Sequence, residues 1–550
     1  MRNYILKFLF FLPSLLIIAV LFLYFNWGYD QFMNFVLSFL NNPVQEKDIK
    51  KLITETKISF IGILFIGLIF CNLLLFYFRN SLWNLLTELY SHITISLKFR
   101  LKIIRDDKIY FILIIPFAFS VYLCITFPVT VDEAYNYLYF SSKGFFAVIG
   151  YYSNPYNNHI LNTLSNYFML FIPWVNDLIL IRIPSIVFNL LTLFFAYNLA
   201  REYSSKKIAL IFISLVAVLY YCLLYAFLAR GYSLMNLCFI LMSYAAIKII
   251  LQNKKIHWVY FSIAAIAGFY VMPSFLYQFL TINFLILLFK PKAIVSQLKS
   301  GVTILVSVFV LYLPIIIING SDALFNNTII KSIGRKEVIN QLPGFIMKLL
   351  YNIAGMNEVI VLVFITLALF IFIRTKEFNQ VLTLLSFFAI PCICFLIQSI
   401  IPVERTFIYL AFIMAYCFAV VADKFIFFKS ANSTILKTCV ALQILFLFNF
   451  YYFMNKNSGY FIYSIQFEKD YKSISHGQKF LIDDGDFYLY FLFNNAVQKK
   501  NYHYTYIPKN LLSVDTLTSK NDYVIIWNRL DKTVYKKPFI KNEDYTIYKF

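Results

Sequence analysis

The chain has 550 residues, 61% of them hydrophobic and 14% charged, with a formal net charge of +21. Soluble domains carry roughly a quarter charged residues, so this composition excludes an ordinary water-soluble protein. The basic residues are scattered through short connections between apolar runs rather than gathered on one face. That excludes a nucleic-acid-binding surface and makes the charge a report on loop topology.

A helix needs roughly 20 apolar residues to cross a bilayer. In chain order, candidate spans fall at 4–25, 58–78, 110–127, 178–200, 208–227, 234–251, 258–271, 275–289, 302–318, 359–373, 381–400, 406–421 and 435–452, about 13 in all by that criterion. The first is long for the apolar region of a secretory signal and has no clear small-x-small cleavage site, so it reads as a membrane helix. With a cytoplasmic N-terminus, the inner connections hold Lys98, Arg100, Lys102, Arg105 and Lys108, then Arg201, Lys206 and Lys207, then Lys254 and Lys255. Further on they hold Lys290, Lys292 and Lys299, then Arg374 and Lys376, then Lys424, Lys429 and Lys437. Each is basic, as the positive-inside rule requires.

Two outer connections are long, 128–177 and 319–358. The first is expected to hold short helices lying in the interface. The second carries Lys331, Arg335 and Lys336, a basic exception that fits either an anionic lipid phosphate or a solvated loop. The cysteines all fall within apolar segments, so neither a disulfide framework nor a zinc spacing is present. Beyond 455 charged residues become frequent, and KFLIDDGDFYLYFLF, DYVIIW and DYTIYKF alternate like strands. The expected architecture is an α-helical polytopic protein of the cytoplasmic (inner) membrane. Two N-terminal spans and a basic loop occupy 1–109, a helical core 110–454, and a small extracytoplasmic α/β domain 455–550.

Ionisable residues at a membrane face are functional candidates. On this topology the notable ones emerge on the outer side: Asp132 and Glu133 after the third span, Arg182 opening the fourth, Arg230 in the tight turn FLARGYS, and Glu404 with Arg405 in IPVERTF. TVDE also fits a capping box, with Thr130 as N-cap. Chemically, one carboxylate could serve as a general base toward an acceptor hydroxyl or amine, while the other orients the acceptor or holds a divalent cation. Arginines at helix ends also snorkel to headgroups, but a guanidinium in so short a turn as Arg230 suits bidentate pairing with a phosphate leaving group. Glu404 and Arg405 fit either that site or pairing with neighbouring helices. His159, in the polar run Asn154 to His159, fits a hydrogen-bonding role first, and the Asn and Tyr residues around it suit a sugar.

These segments resemble the GT-C membrane glycosyltransferases, and among them the protein O-mannosyltransferase-like branch (glycosyltransferase family 39 and bacterial relatives). The resemblance rests on FPVTVDEAYNYLYF, YYSNPYNNHILNTL, RIPSIVFNLL and AFLARGYSLMN, and covers about 110–250. It matches an acidic pair at Asp132 and Glu133, a polar segment at Asn157, Asn158 and His159, an Arg-x-Pro-Ser opening at Arg182, and an Arg-x-Tyr turn at Arg230 and Tyr232. It implies transfer of a hexosyl or pentosyl group from a polyprenyl-phosphate donor to a lipid, glycan or protein acceptor on the extracytoplasmic side. Asp132 would be the base with Glu133 assisting, and Arg230 with Arg405 would meet the lipid phosphate. No nucleotide site is expected, and a cofactor only as a divalent cation at the acidic pair. A transporter or flippase of lipid-linked saccharides is the alternative reading of the same pattern.

Overall fold

The computed structural model describes residues 79–150, 158–319, 332–426 and 432–456, then 479–482, 485–499, 503–506, 523–527, 539–541 and 545–549, with a few isolated positions. The spans expected at 4–25 and 58–78, and Asn157 and Lys331, lie outside the described residues. Two compact units are distinguishable. The smaller contributes the helix Arg79–Asp107. The larger comprises Ile109–Ser142, Asn157–Val308 and Ile329–Phe550, and it holds the site described below.

Long apolar runs fold as helices, several of them opened by a capping side chain. Helix α1 (Tyr110–Thr126) leads into two short helices, α2 (Val131–Tyr139) and α3 (Ile160–Met169), within the long connection 128–177. Then come α4 (Asp177–Tyr203), α5 (Lys206–Val216), α6 (Tyr220–Phe227), α7 (Tyr232–Gln252), α8 (Lys255–Val271) and α9 (Leu276–Phe289). They are followed by α10 (Ile294–Asn319), α11 (Arg335–Ala354), α12 (Glu358–Arg374), α13 (Phe378–Gln398), α14 (Leu410–Phe425) and α15 (Asn432–Lys456). The Asn176 side chain accepts from Leu178 N to open α4, and Ser205 accepts from Ile208 N to open α5. Gly355 closes α11 at φ +69°, where a Cβ would lie 2.6 Å from the Tyr220 Cβ, so both conformation and space require glycine.

Among the described residues five helices are long and apolar enough to cross a membrane, or up to eight if each bent pair is one span. Large apolar side chains face outward on them: Leu305 is 70% exposed and Phe448 72%. Such surface is stable against hydrocarbon, not water, and the chain is a multi-pass helical membrane protein.

The segment expected as one span at 208–227 is a broken pair, α5 and α6, bent by 61°. Leu219 leaves the helical region, at ψ 140°, and splits the apolar run. The expected loop 319–358 contains the 20-residue helix α11, which meets α12 at 93°. Its sequence is amphipathic. Arg335, Lys336 and Glu337 are exposed while Val338, Phe345, Leu349 and Leu350 are buried, a pattern that hydropathy alone passes over.

Near the C-terminus, five strands form one sheet in the order β2-β1-β3-β5-β4: β1 (Lys479–Ile482), β2 (His503–Tyr506), β3 (Tyr523–Trp527), β4 (Ile540–Lys541) and β5 (Tyr545–Lys549). β1 runs parallel to β2 and β3, and β5 antiparallel to β3 and β4. GDFYLYFLF, expected to continue as a strand, is instead the start of helix α16 (Gly485–Gln498). Of its buried residues, Phe487, Tyr490, Phe491 and Asn494 fall at i, i+3, i+4 and i+7, with Phe493 widening the buried face, so the helical period is hidden inside an aromatic run. Phe480, Phe487, Phe491, Tyr523 and Ile547 share one core with Val129, Ala134, Leu178 and Ala229, so this layer packs directly over the mouth of the helical bundle.

Candidate functional site

The site forms where the end of α1, the start of α2, the second turn of α4 and the α6–α7 turn converge. Thr130 caps α2: its hydroxyl accepts from Glu133 N while the Glu133 carboxylate accepts from Thr130 N, completing a capping box. Glu133 does much more than cap. Its Oε1 accepts from Arg182 Nε at 2.8 Å and Ala229 N at 2.8 Å, and its Oε2 from Arg182 Nη2 at 2.7 Å. Arg182 directs its remaining N–H groups to the carbonyls of Cys124, Phe127 and Pro128. All five guanidinium donors are used, and both side chains have no exposed surface. Burial pushes the Glu133 carboxyl up, but Arg182 and the backbone donors outweigh it and hold the group below the usual carboxylate range.

Asp132 precedes Glu133 by one residue, which turns it about 100° around the helix and gives it a different neighbourhood. Its Oδ2 lies 3.4 Å from Arg230 Nη2 and 3.4 Å from Arg405 Nη1, the latter from the 3-10 turn Glu404–Phe407. The carboxylate keeps 18% of its surface exposed, whereas Arg230 keeps 5%. Burial raises the Asp132 carboxyl, yet the Arg230 and Arg405 guanidinium groups hold it below its ordinary value. Among the described residues, Arg230 Nε and Nη1 have no hydrogen-bond acceptor.

His159, just before α3, closes the other side of Arg230. Its Nδ1 accepts from Gly231 N at 2.8 Å, which places the ring proton on Nε2. Burial and the two arginines keep the imidazole neutral, well below its ordinary value. His159 Nε2 and Arg230 Nη2, both N–H donors, lie 3.5 Å apart. Gly231 makes this approach feasible, since a Cβ there would come within 2.9 Å of His159 Cβ and 2.7 Å of Val271. Two guanidinium groups and an imidazole N–H against one carboxylate leave a cationic, donor-rich cluster suited to an anionic oxygen.

The remaining expected residues are placed as follows. Tyr232 is buried, edge-on to His159 with ring centroids 5.3 Å apart and against Tyr225 at 4.2 Å, so it packs behind the His159 ring. Asn158 is buried beside His159. Glu404 turns away to pair with Lys348 Nζ at 2.7 Å. The seven cysteines described are free thiols. Sequence reading missed the backbone contributors, Ala229 N, Gly231 N and the carbonyls of Cys124, Phe127 and Pro128, because side-chain patterns carry no trace of them.

Among the described residues no group of three or more His, Cys, Asp or Glu side chains converges on one point. The pair expected to hold a divalent cation does not fit one. Glu133 is saturated by donors and Asp132 lies between two guanidinium groups, so a cation would sit among like charges.

No protein-family model matches the chain. No curated protein matches it significantly in sequence. Among solved structures, a crystal structure of an Archaeoglobus fulgidus oligosaccharyltransferase complex with zinc and sulfate aligns with a TM-score of 0.38 and 13% identity, over 75% of this chain and 67% of that one. Likeness at this level assigns neither activity nor substrate, and the functional reading rests on the site itself.

Proposed function

We propose that this protein is a GT-C-type glycosyltransferase that moves a sugar from a polyprenyl-phosphate donor to a lipid, glycan or protein acceptor at the extracytoplasmic face of the cytoplasmic membrane. The observation that carries the reading is the Asp132 carboxylate set between Arg230 and Arg405, beside guanidinium donors that no described residue satisfies. In the reaction, an acceptor oxygen or nitrogen attacks the anomeric carbon as the bond from that carbon to the phosphate oxygen breaks. Asp132 takes the acceptor proton, and the departing phosphate keeps the bonding electron pair. Arg230, Arg405 and the His159 Nε2–H stabilise that phosphate.

A carboxylate held this low is a weak base. Donor binding corrects this, because a phosphate between the guanidinium groups shares their positive charge and lets the Asp132 pKa rise in the complex. Glu133 then belongs to the scaffold: the Arg182–Glu133 pair locks α1, α2, α4 and the α6–α7 turn together and so positions Asp132. The thirteen-span topology, with the sheet of residues 479–549 on the outer side, is part of the same proposal.

Glycan and lipid profiling of a deletion strain tests it. A donor lipid should accumulate, and a product should lack one sugar. Wild-type protein should restore that sugar, while Asp132→Asn, inserted at normal level, should fall by about 10²-fold or more. Restoration by Asp132→Asn removes Asp132 from the mechanism, and loss of whole saccharides would favour a flippase instead.

A further inference from the structure

A cavity of about 710 Å³ opens between α4, α5, α7, α9, α13 and α14, at the end of the bundle away from Asp132. Along α7 it runs from Phe239 to Leu251, about 18 Å, and begins about 10 Å below Tyr232 at 1.5 Å per residue. Its body is aliphatic and aromatic. Apart from Ser243 in the middle of α7, its small polar lining residues, Ser204, Asn379, Gln380 and Thr383, gather at the far end of α4 and the start of α13. Leu251, 59% exposed, and Leu288, 39%, form part of the wall, so the cavity reaches the apolar outer surface.

Aromatic rings line the end of the cavity nearer Tyr232. Phe239 packs on Phe387, Tyr409 and Phe412 with ring centroids 5.9, 5.2 and 6.0 Å apart, and Tyr409 is fully buried. The polar end, in contrast, is flanked in sequence by Lys206, Lys207, Arg374 and Lys376, with Arg374 and Lys376 exposed. Of the two acids nearby, Glu202 is already paired with Lys248 and Glu377 is exposed, so the basic residues outnumber the acids at this end. An apolar void in a close-packed interior forfeits dispersion contacts and does not hold water well. Hydrocarbon is what a bilayer supplies.

We infer that this cavity is a binding site for one acyl chain of an anionic phospholipid, drawn from the leaflet beside the basic loops, with its phosphate held near Arg374 and Lys376. The site is separate from the proposed transferase centre and does not depend on that reading.

The test uses full-length protein in nanodiscs and a phosphatidylglycerol carrying a diazirine near the end of one acyl chain. After photolysis, label is expected on peptides covering 239–251 and 379–387. Ala246→Trp, which fills the cavity, should lower it by roughly fivefold or more, and a phosphatidylcholine with the same tail should label more weakly. Asp132→Asn should label like wild type, whether or not the transferase reading holds. Should Ala246→Trp fail to fold, competition on the wild type decides: unlabelled phosphatidylglycerol should suppress labelling and a polyprenyl phosphate should not. No labelling of these peptides, equal labelling of a folded Ala246→Trp, equal labelling by the phosphatidylcholine probe, or suppression by the polyprenyl phosphate instead would overturn the assignment.

Discussion

Asp132 and Glu133 are the same chemistry one residue apart, and rotation around α2 gives them opposite tasks. Glu133 is enclosed in a pair whose every donor and acceptor is spoken for, so removing one partner strands the other as a buried charge. Glu133→Gln or Arg182→Met should each lower stability by about 3–5 kcal/mol, read from thermal melting in detergent, and the double substitution should cost less than the sum. Because the folded Glu133 carboxyl lies below its ordinary value, its stabilising contribution is complete above about pH 4.3 and is lost as pH falls through the folded pKa. Wild-type protein should therefore lose melting temperature in that acid window, and Glu133→Gln should lose less there. Asp132 makes a kinetic statement instead. The acid limb of kcat/KM reports the free enzyme and that of kcat the donor complex. If phosphate binding relieves the arginines of their hold on Asp132, the kcat limb should lie at higher pH than the kcat/KM limb. Coincident limbs would count against donor-assisted activation.

Element by element, legibility followed the strength of the local signal. Helices such as Tyr232–Gln252 and Phe378–Gln398 were readable because long apolar runs end at connections rich in polar and basic residues. The break at Leu219 was not, since 208–227 is apolar throughout and the bend is set by a change in ψ. Helix α11 escaped because an amphipathic stripe scores poorly on hydropathy, and α16 because its helical period lies within a run of aromatics that also alternate. At the site, Asp132, Arg230 and Arg405 were visible as charges stranded at apolar helix ends. Their grouping was inferable only through topology. The Thr130–Glu133 cap was readable in TVDE, but the rest of Glu133's confinement was not, because Arg182 lies 49 residues away and Ala229 N is a backbone group.

For the molecule as a whole, the proposal sets the basic connections on one side of the membrane and the arginine cluster on the other. A reporter fused after Phe550 should read as extracytoplasmic in the living cell, while one placed in the Lys254–Lys255 connection should read as cytoplasmic. The reverse pattern would move the proposed site to the wrong side for its donor. Whatever the acceptor proves to be, the proposed transfer requires that Arg230 and Arg405 together hold a lipid phosphate. The most direct measurement is the affinity of purified, nanodisc-embedded protein for a polyprenyl phosphate, compared between wild type, Arg230→Ala and Asp132→Asn. Loss of one guanidinium should weaken binding by about tenfold or more, equivalent to at least about 1.4 kcal/mol, while Asp132→Asn should bind as well as or better than wild type because a negative charge is gone. Equal affinity of Arg230→Ala and wild type, with the fold intact, would contradict it.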